Sequence, residues 1–525
     1  MSELMKKTVA TAAGVVVALG VIGTAGAWYT GTQLQGVLQN AIEQANQTSQ
    51  EALLGTGVTT RLELVSLETR LFTSTAHYRI TFAAPAYEKA PAHMEFLLLD
   101  EIQHGPLPAS RLKRFNLWPV MAQSNYELQV NEFTRRWFDA ANGAAPLSGQ
   151  VSLGYDGSTN GSLAFTPLDF APTPTSTVRF SGLALDIEAS KHAAEVLVTG
   201  GMDSLIISAA EGEESALQAE LRGLTLHSDQ HLGSGDFYLG DSSVKLAAAR
   251  FKVDDNPAVL FKDVSQSGSL QEANGSLDGR IGYDIGMVSY GGRNLAGMQM
   301  LWTLKNFDSA AVQSLLELYR EKLAPIQQAQ ALDQDAPDLT FSPADEKRLK
   351  VDIEQLLGAR PQIALDHFSI KTNKGEARLS VAVDLEKPES LELPPAELAR
   401  QMIARLDAKL SVAKAIIGDG VLAQAMFAGE TDVKAMEDQA AMFTEMGSGM
   451  ALGTGLLTLE GDTLQSSLQY ANDQVIFNGE DMTVEEFAMF VMSKANGLGA
   501  RPREEQQEDD ASHNAYGADG IGDED

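Results

Sequence analysis

The feature that most limits how this chain can fold is a run without charge near its start. From Thr8 to Tyr29 the sequence reads TVATAAGVVVALGVIGTAGAWY, with no Asp, Glu, Lys or Arg. A helix rising about 1.5 Å per residue would carry it about 33 Å, close to the thickness of bilayer hydrocarbon. Lys6 and Lys7 precede the run, and no Lys or Arg follows until Arg61. The positive-inside rule then predicts a cytoplasmic N-terminus and an exported body, with the bilayer as a partner through residues 8–29. Trp28 and Tyr29 fall where aromatic rings favour the membrane–water interface. Ala25-Gly26-Ala27 also fits a small-residue cleavage site, so a cleaved leader is the competing reading.

Charge narrows the list of partners. Lys+Arg 39 against Asp+Glu 71 leaves a net charge of −32, which repels polyphosphate and excludes a nucleic-acid partner. The chain holds no cysteine, which removes disulfides, thiolate metal sites and cysteine nucleophiles together.

Periodicity divides the rest. Leu34, Val37, Leu38, Ala41, Ile42 and Ala45 follow helical spacing, which predicts a helical stalk over 30–57 behind a cytoplasmic stub and anchor at 1–29. From 58 to 302 the rhythm is mostly period two, as in Tyr78, Ile80 and Phe82, broken by turn pairs such as Asp156-Gly157 and Asn274-Gly275. This predicts a large antiparallel β domain. A mixed helix and strand domain is expected over 303–500. It begins with a helix capped by Asp308, and a second helix starts at Ser342-Pro343. A long helical stretch is expected from Ala396 to Met446, broken near Gly418 and Gly420, with Gly447–Gly453 as a connector. Residues 501–525 hold nine acids against two arginines and almost no apolar side chain. That composition predicts a disordered acidic tail. The expected fold class is α+β: a single N-terminal transmembrane helix, then a large curved, mainly antiparallel β body with a helical C-terminal half.

A repeat lies within the β region. Val178-x-Phe180-x-Gly182-Leu183-x-Leu185 matches Ala219-x-Leu221-x-Gly223-Leu224-x-Leu226. Ile363-x-Leu365-x-His367-Phe368-x-Ile370 has the same shape, and Leu97-x-Leu99-x-Glu101-Ile102 is a weaker copy. In each the apolar phase slips by one residue, which turns side chains to the other face unless a bulge absorbs it. The second apolar set, such as Leu185 and Leu226, would then face a groove able to hold lipid.

The standard chemical motifs are missing. There is no HExxH and no G-x-S-x-G elbow. His227 and His231 are four apart within a sequence that reads as a loop, which carries no ligand geometry. No catalytic, cofactor or metal residues are assigned. One cluster stands out: His104-Gly105-Pro106-Leu107-Pro108, followed by Arg111, Lys113, Arg114 and Trp118. Two prolines and a glycine fix a rigid turn. Basic and aromatic side chains after it make a candidate contact loop for lipid headgroups or a partner. The bland alternative is a structural turn with solvated charges.

Gly26-Ala27-Trp28-Tyr29-Thr30-Gly31, the His104–Pro108 stretch and Leu304-x-Asn306-x-Asp308 together resemble the YdgA-like family of proteobacterial inner-membrane proteins. That resemblance implies a single-pass inner-membrane anchor with most of the chain in the periplasm, and no catalytic residues. The bulged-strand repeat is similar to repeats of AsmA-type envelope proteins, whose curved sheets hold lipid. The expected function is a binding or scaffold protein of the cell envelope, with a lipid, an envelope protein or a second copy as partner. A structural self-associating protein and an enzyme without a known motif are the alternatives. Because the tail's composition supplies no core, deleting 501–525 is expected to leave the melting temperature within about a degree or two. A clearly lower value in calorimetry would show that the tail docks on the fold.

Overall fold

The computed structural model describes residues 34–53, 58–83, 93–113, 115–209, 216–235, 237–331 and 338–499. Residues 8–29, with Trp28 and Tyr29, and the tail 501–525 lie outside them, as does Arg114. The alternating segments form strands β1 (Thr59–Thr69), β2 (Thr73–Ala83), β3 (His93–His104), β4 (Ala122–Leu128), β5 (Leu147–Leu153) and β6 (Thr159–Phe165). Then come β7 (Leu168–Thr173), β8 (Ser176–Phe180), β9 (Leu183–Ala189), β10 (Glu195–Ala209), β11 (Leu217–Leu232), β12 (Tyr238–Val253), β13 (Val259–Ala273), β14 (Ser276–Tyr290) and β15 (Arg293–Asp308). The remainder are β16 (Gln362–Lys371), β17 (Glu376–Leu385), β18 (Ile403–Ala413), β19 (Thr458–Glu460), β20 (Thr463–Ala471), β21 (Gln474–Phe477) and β22 (Glu480–Thr483).

Among the described residues all 22 strands belong to one sheet, and every pairing is antiparallel. Neighbours in sequence are mostly neighbours in space. β6 and β7 run out and β8 and β9 run back as one long hairpin, with β10 paired along both halves. β10 to β15 are 15 or 16 residues each, about 50 Å long at about 3.3 Å per residue.

The core sits at the N-terminal end of this sheet. Tyr78, Ile80, Phe82, Leu98, Ile102, Leu147, Val151, Leu163 and Leu185 are buried on one face. The helix Leu34–Ala52 lies against it through Leu38 and Ala45. That helix also covers the outer edge of β1. Asn46 Nδ2 donates to Leu62 O (2.9 Å), and Leu62 N–H donates to Asn46 Oδ1 (2.7 Å).

Residues opposite each other in a ladder share a face, so the register traces that face across the sheet. Leu185 opposes Gly200, which opposes Leu226, which opposes Val244. Farther along, Tyr283 opposes Met300, and Trp302 lies between Ile281 and Leu365. One face is therefore mostly apolar from the core to β18, interrupted by Ser228 on β11, Ser242 on β12 and Gln266 on β13, and the other carries Ser, Thr, Asp, Gln and Arg.

The repeat's phase slip has a physical counterpart. Asp203, Gly223, Ala247, Asp263 and Gly286 line up across β10 to β14 at one break in the ladder. Gly223 takes φ +65 there, and a Cβ on it would meet Ala247 Cβ at 2.8 Å. On β11 the sheltered positions include Leu217, Ala219 and Leu221 before the break and Leu224 and Leu226 after it. Gln218, Arg222, Thr225, His227, Asp229, His231 and Leu232 are the exposed ones. The backbone reversal thus keeps both apolar sets on one face instead of dividing them. In β16 the slip is a bulge, with Asp366 and His367 set against Ser380 alone. The weaker copy in β3 has no break, because its ladder with β2 is regular from Gln103 to His93.

Two expectations need correction. The C-terminal half is not helical: the same sheet continues through β16, β17, β18 and β20 to β22. Arg405, Asp407 and Lys409 alternate with Leu406, Ala408 and Leu410 in the middle of the supposed long helix, and this period-two stretch forms β18. The helix Lys414–Phe427 runs through Gly418 and Gly420 without a break. A Cβ on Gly418 would lie 2.6 Å from Thr444 Oγ1, so this glycine permits close approach of the helix Val433–Gly453. Gly447–Gly453 belongs to that second helix and is not a connector. The single-pass inner-membrane placement is also corrected. Among the described residues no helix is long and apolar enough to cross a membrane. The two longest, Leu34–Ala52 and Val433–Gly453, carry polar and charged residues such as Gln39, Glu43, Glu437 and Asp438.

One carboxylate interrupts the core. Asp100 is fully buried and accepts a hydrogen bond from Ser124 Oγ at 2.6 Å. Burial raises its pKa from 3.8 to about 6, against the lowering effect of Ser124, the nearby Tyr78 hydroxyl and the Asn125 N–H. The folded state therefore holds this proton more tightly than the unfolded chain. The stabilisation is complete below about pH 4 and lost as pH rises through about 6, a swing of about 3 kcal/mol. Urea melts of the parent and Asp100→Asn at pH 4 and pH 7.5 should show the parent losing about that much relative to the variant. A difference that does not change with pH would refute this account.

Candidate functional site

The loop between β3 and β4 is held by its own backbone. Gly105 N–H donates to Met121 O (2.8 Å) and Val120 N–H donates to Pro106 O (3.0 Å), which closes the base. The Gly105–Pro106 peptide is cis. A Cβ on Gly105 would fall 2.0 Å from Val120 O, so only glycine fits. Ser110 donates from both N–H and Oγ to Gln103 Oε1 (2.9 and 2.8 Å), which ties the loop to the sheet. Arg111 Nη2 donates to Asn116 Oδ1 at 2.9 Å and fixes the far side.

This loop stands over the polar face of the sheet and encloses a cleft of about 840 Å³. Arg111, Asn116, Trp118 and Pro119 form one wall, and Tyr155 of the β5–β6 turn joins them. The floor is two rows of side chains set by register: Gln150, Ser162, Asp186 and Thr199, then Ser152, Asn160 and Glu188. Trp118 is 78% exposed. Asp156 sits at the rim, and the Ser158 hydroxyl and N–H lower its pKa.

The expected contact residues divide into two groups. Arg111 and Trp118 line the cleft. Gly105, Pro106 and Pro108 shape the loop and do not line it. His104 ends β3 opposite Ala122, with Nε2 3.0 Å from Ser74 Oγ, so its role is structural. Lys113 is exposed outside the cleft. His227 and His231 lie on β11 and not in a loop, about 13 Å apart at strand rise.

The second candidate surface is the apolar face beyond the core. Leu185, assigned to a groove from the repeat, is 1% exposed and belongs to the core, with Leu226 packed beside it. Farther along, Val244, Ile281, Tyr283, Trp302 and Ile363 are between 37% and 42% exposed. Helices close the two ends of these strands and leave the middle open. The helices Ser309–Lys322 and Pro343–Gly358 pair at one end, where Arg348 bonds Ser314 and Glu317. At the other end Phe427 of the helix Lys414–Phe427 packs at a tilt against Tyr290, with ring centres 4.5 Å apart.

Residues 5–485 match the family described as "Bacterial protein of unknown function (DUF945)". The chain belongs to this family. Over 503 residues it is 25% identical to Protein YdgA of Escherichia coli, covering 92% of this chain and 97% of that protein. It is 22% identical to the uncharacterized protein YihF of the same organism, over 91% of this chain and 97% of that one. An uncharacterized protein of Haemophilus influenzae is 29% identical over 36% of this chain and 50% of its own length. No solved structure matches. Membership of the DUF945 family thus agrees with the YdgA-like resemblance and brings no reaction with it.

The sequence did not single out Tyr155, Asp186, Glu188 or Thr199. Asp186-x-Glu188 reads as the solvated face of any strand, and only the register places it beneath Trp118. For the loop itself, Gly105→Ala should force the base open. The amides of Gly105 and Val120 should then exchange at least roughly tenfold faster with deuterium. Unchanged protection at both would show that the glycine is not required there.

Proposed function

We propose that this DUF945 protein is a binding protein that holds an acyl chain on the open apolar face of β12 to β16. The observation that carries this reading is the run of half-exposed apolar residues, Val244, Ile281, Tyr283, Trp302 and Ile363, on the face that forms the core elsewhere. A sheet with one apolar face must bury it against another layer. At β1 to β6 the layer is the helix Leu34–Ala52 together with Trp137 and Phe138. At β12 to β16 the helices reach only the strand ends. An acyl chain laid across these strands contributes about 0.8 kcal/mol per buried methylene. Scaffolding is the coarser form of the same reading, with a partner protein's apolar surface in place of the chain.

The test is organic extraction of the purified full-length protein, with mass spectrometry of the extract, beside binding of palmitate. Ile281→Glu and Trp302→Glu should melt within a few degrees of the parent and retain at most about a tenth of the lipid, because each removes apolar contact from a half-exposed site. Leu185→Glu is the control: a charge in the core should unfold the chain. Absence of extractable lipid together with no palmitate binding would reject the proposal. So would a monomer–dimer equilibrium abolished by the same two variants, since the face would then be an interface between copies.

A further inference from the structure

The polar cleft beneath the β3–β4 loop is a separate site on the opposite face from the apolar rows. Its chemistry is specific. Trp118 and Tyr155, 78% and 58% exposed, present large rings that the fold leaves bare. Beneath them Asn160, Ser162, Asp186, Glu188 and Thr199 offer hydroxyl, amide and carboxylate groups. Among the described residues none of these five side chains makes a hydrogen bond or ion pair. They are spread over β6, β9 and β10 in register, so their spacing is set by the backbone ladder and is rigid. Arg111 lines the same cleft and is held there by its Nη2 bond to Asn116.

A ligand for this site must combine an apolar ring face with a rim of hydroxyls. An aromatic plane covers the first, and paired carboxylate, amide and hydroxyl groups satisfy the second. Charge removes the anionic candidates. Asp156, Asp186 and Glu188 outnumber the single guanidinium of Arg111, so phosphate-bearing and acidic ligands are repelled. An acyl chain alone would leave the floor's polar groups desolvated and unpaired, which is costly. We infer that the cleft under Trp118 is a binding site for a neutral oligosaccharide, with Trp118 and Tyr155 stacked on sugar rings and Asp186, Glu188 and Asn160 bonded to their hydroxyls. The volume of about 840 Å³ is within the range of small-molecule sites.

The experiment titrates the full-length protein with N-acetylchitotetraose and with maltotetraose, by calorimetry and by tryptophan fluorescence. At least one should bind saturably. Trp118→Ala and the pair Asp186→Asn with Glu188→Gln should each weaken that binding at least about tenfold, the order expected for losing charge-assisted hydrogen bonds or a stacking ring. Exposed positions tolerate such changes, so the variants should melt like the parent. Trp302→Ala, on the other face, should leave sugar affinity unchanged. No heat with either sugar, or binding that persists in Trp118→Ala, would overturn the assignment. Sugar binding lost in Trp302→Ala would place the ligand on the apolar face and overturn it too.

Discussion

The antiparallel ladder from β1 to β22 is the constraint on which the rest of this structure depends. Opposed residues share a face, so each strand's apolar parity must match that of both neighbours. A slip in one strand alone would push a charged row into an apolar layer. The chain instead changes parity in five neighbouring strands at one line, from Asp203 to Gly286. Gly223 at φ +65 and Asp263 at φ +52 take backbone conformations that ordinary strand residues avoid. Their cost is tolerated because the reversal is shared along the row, and the face stays apolar through it.

Much of the sheet was legible because alternation is a local signal. Tyr78, Ile80 and Phe82 announce β2, and all three are buried. The slip at Gly182 and Gly223 was equally visible, but its outcome was not. Sequence alone cannot say whether a slip divides side chains between faces or is undone by a positive-φ residue. That depends on the neighbouring strands. β18 was missed because the helix Pro395–Met402 leads straight into it and the helix Lys414–Phe427 straight out. Ten or so alternating residues were outweighed by helical flanks. The cleft was half legible. Arg111 and Trp118 stood out by composition, whereas Asp186 and Glu188 needed the pairing of β9 with β6 and β10.

The two faces of the sheet impose different demands. On the apolar side the problem is coverage, solved by a helix at one end and left open in the middle. On the polar side a closed loop supplies the wall that makes a cleft from a flat row of side chains. Asp100 shows what happens where the two chemistries mix. A carboxylate in the apolar layer keeps its place through Ser124 and Asn125, at the cost of a proton affinity out of line with its type.

The contact between Asn46 and Leu62 has a consequence of another kind. A meander with free N–H and C=O groups on its first strand is a template, and any extended chain could add to it. The amide of Asn46 imitates a neighbouring backbone, donating to and accepting from the same residue, and so occupies one rung of that template. A helix rather than another strand then lies along the edge, and a helix cannot pass the ladder on. Growth of the sheet past β1 is opposed there because its next partner is a side chain, which offers an incoming strand no ladder to join.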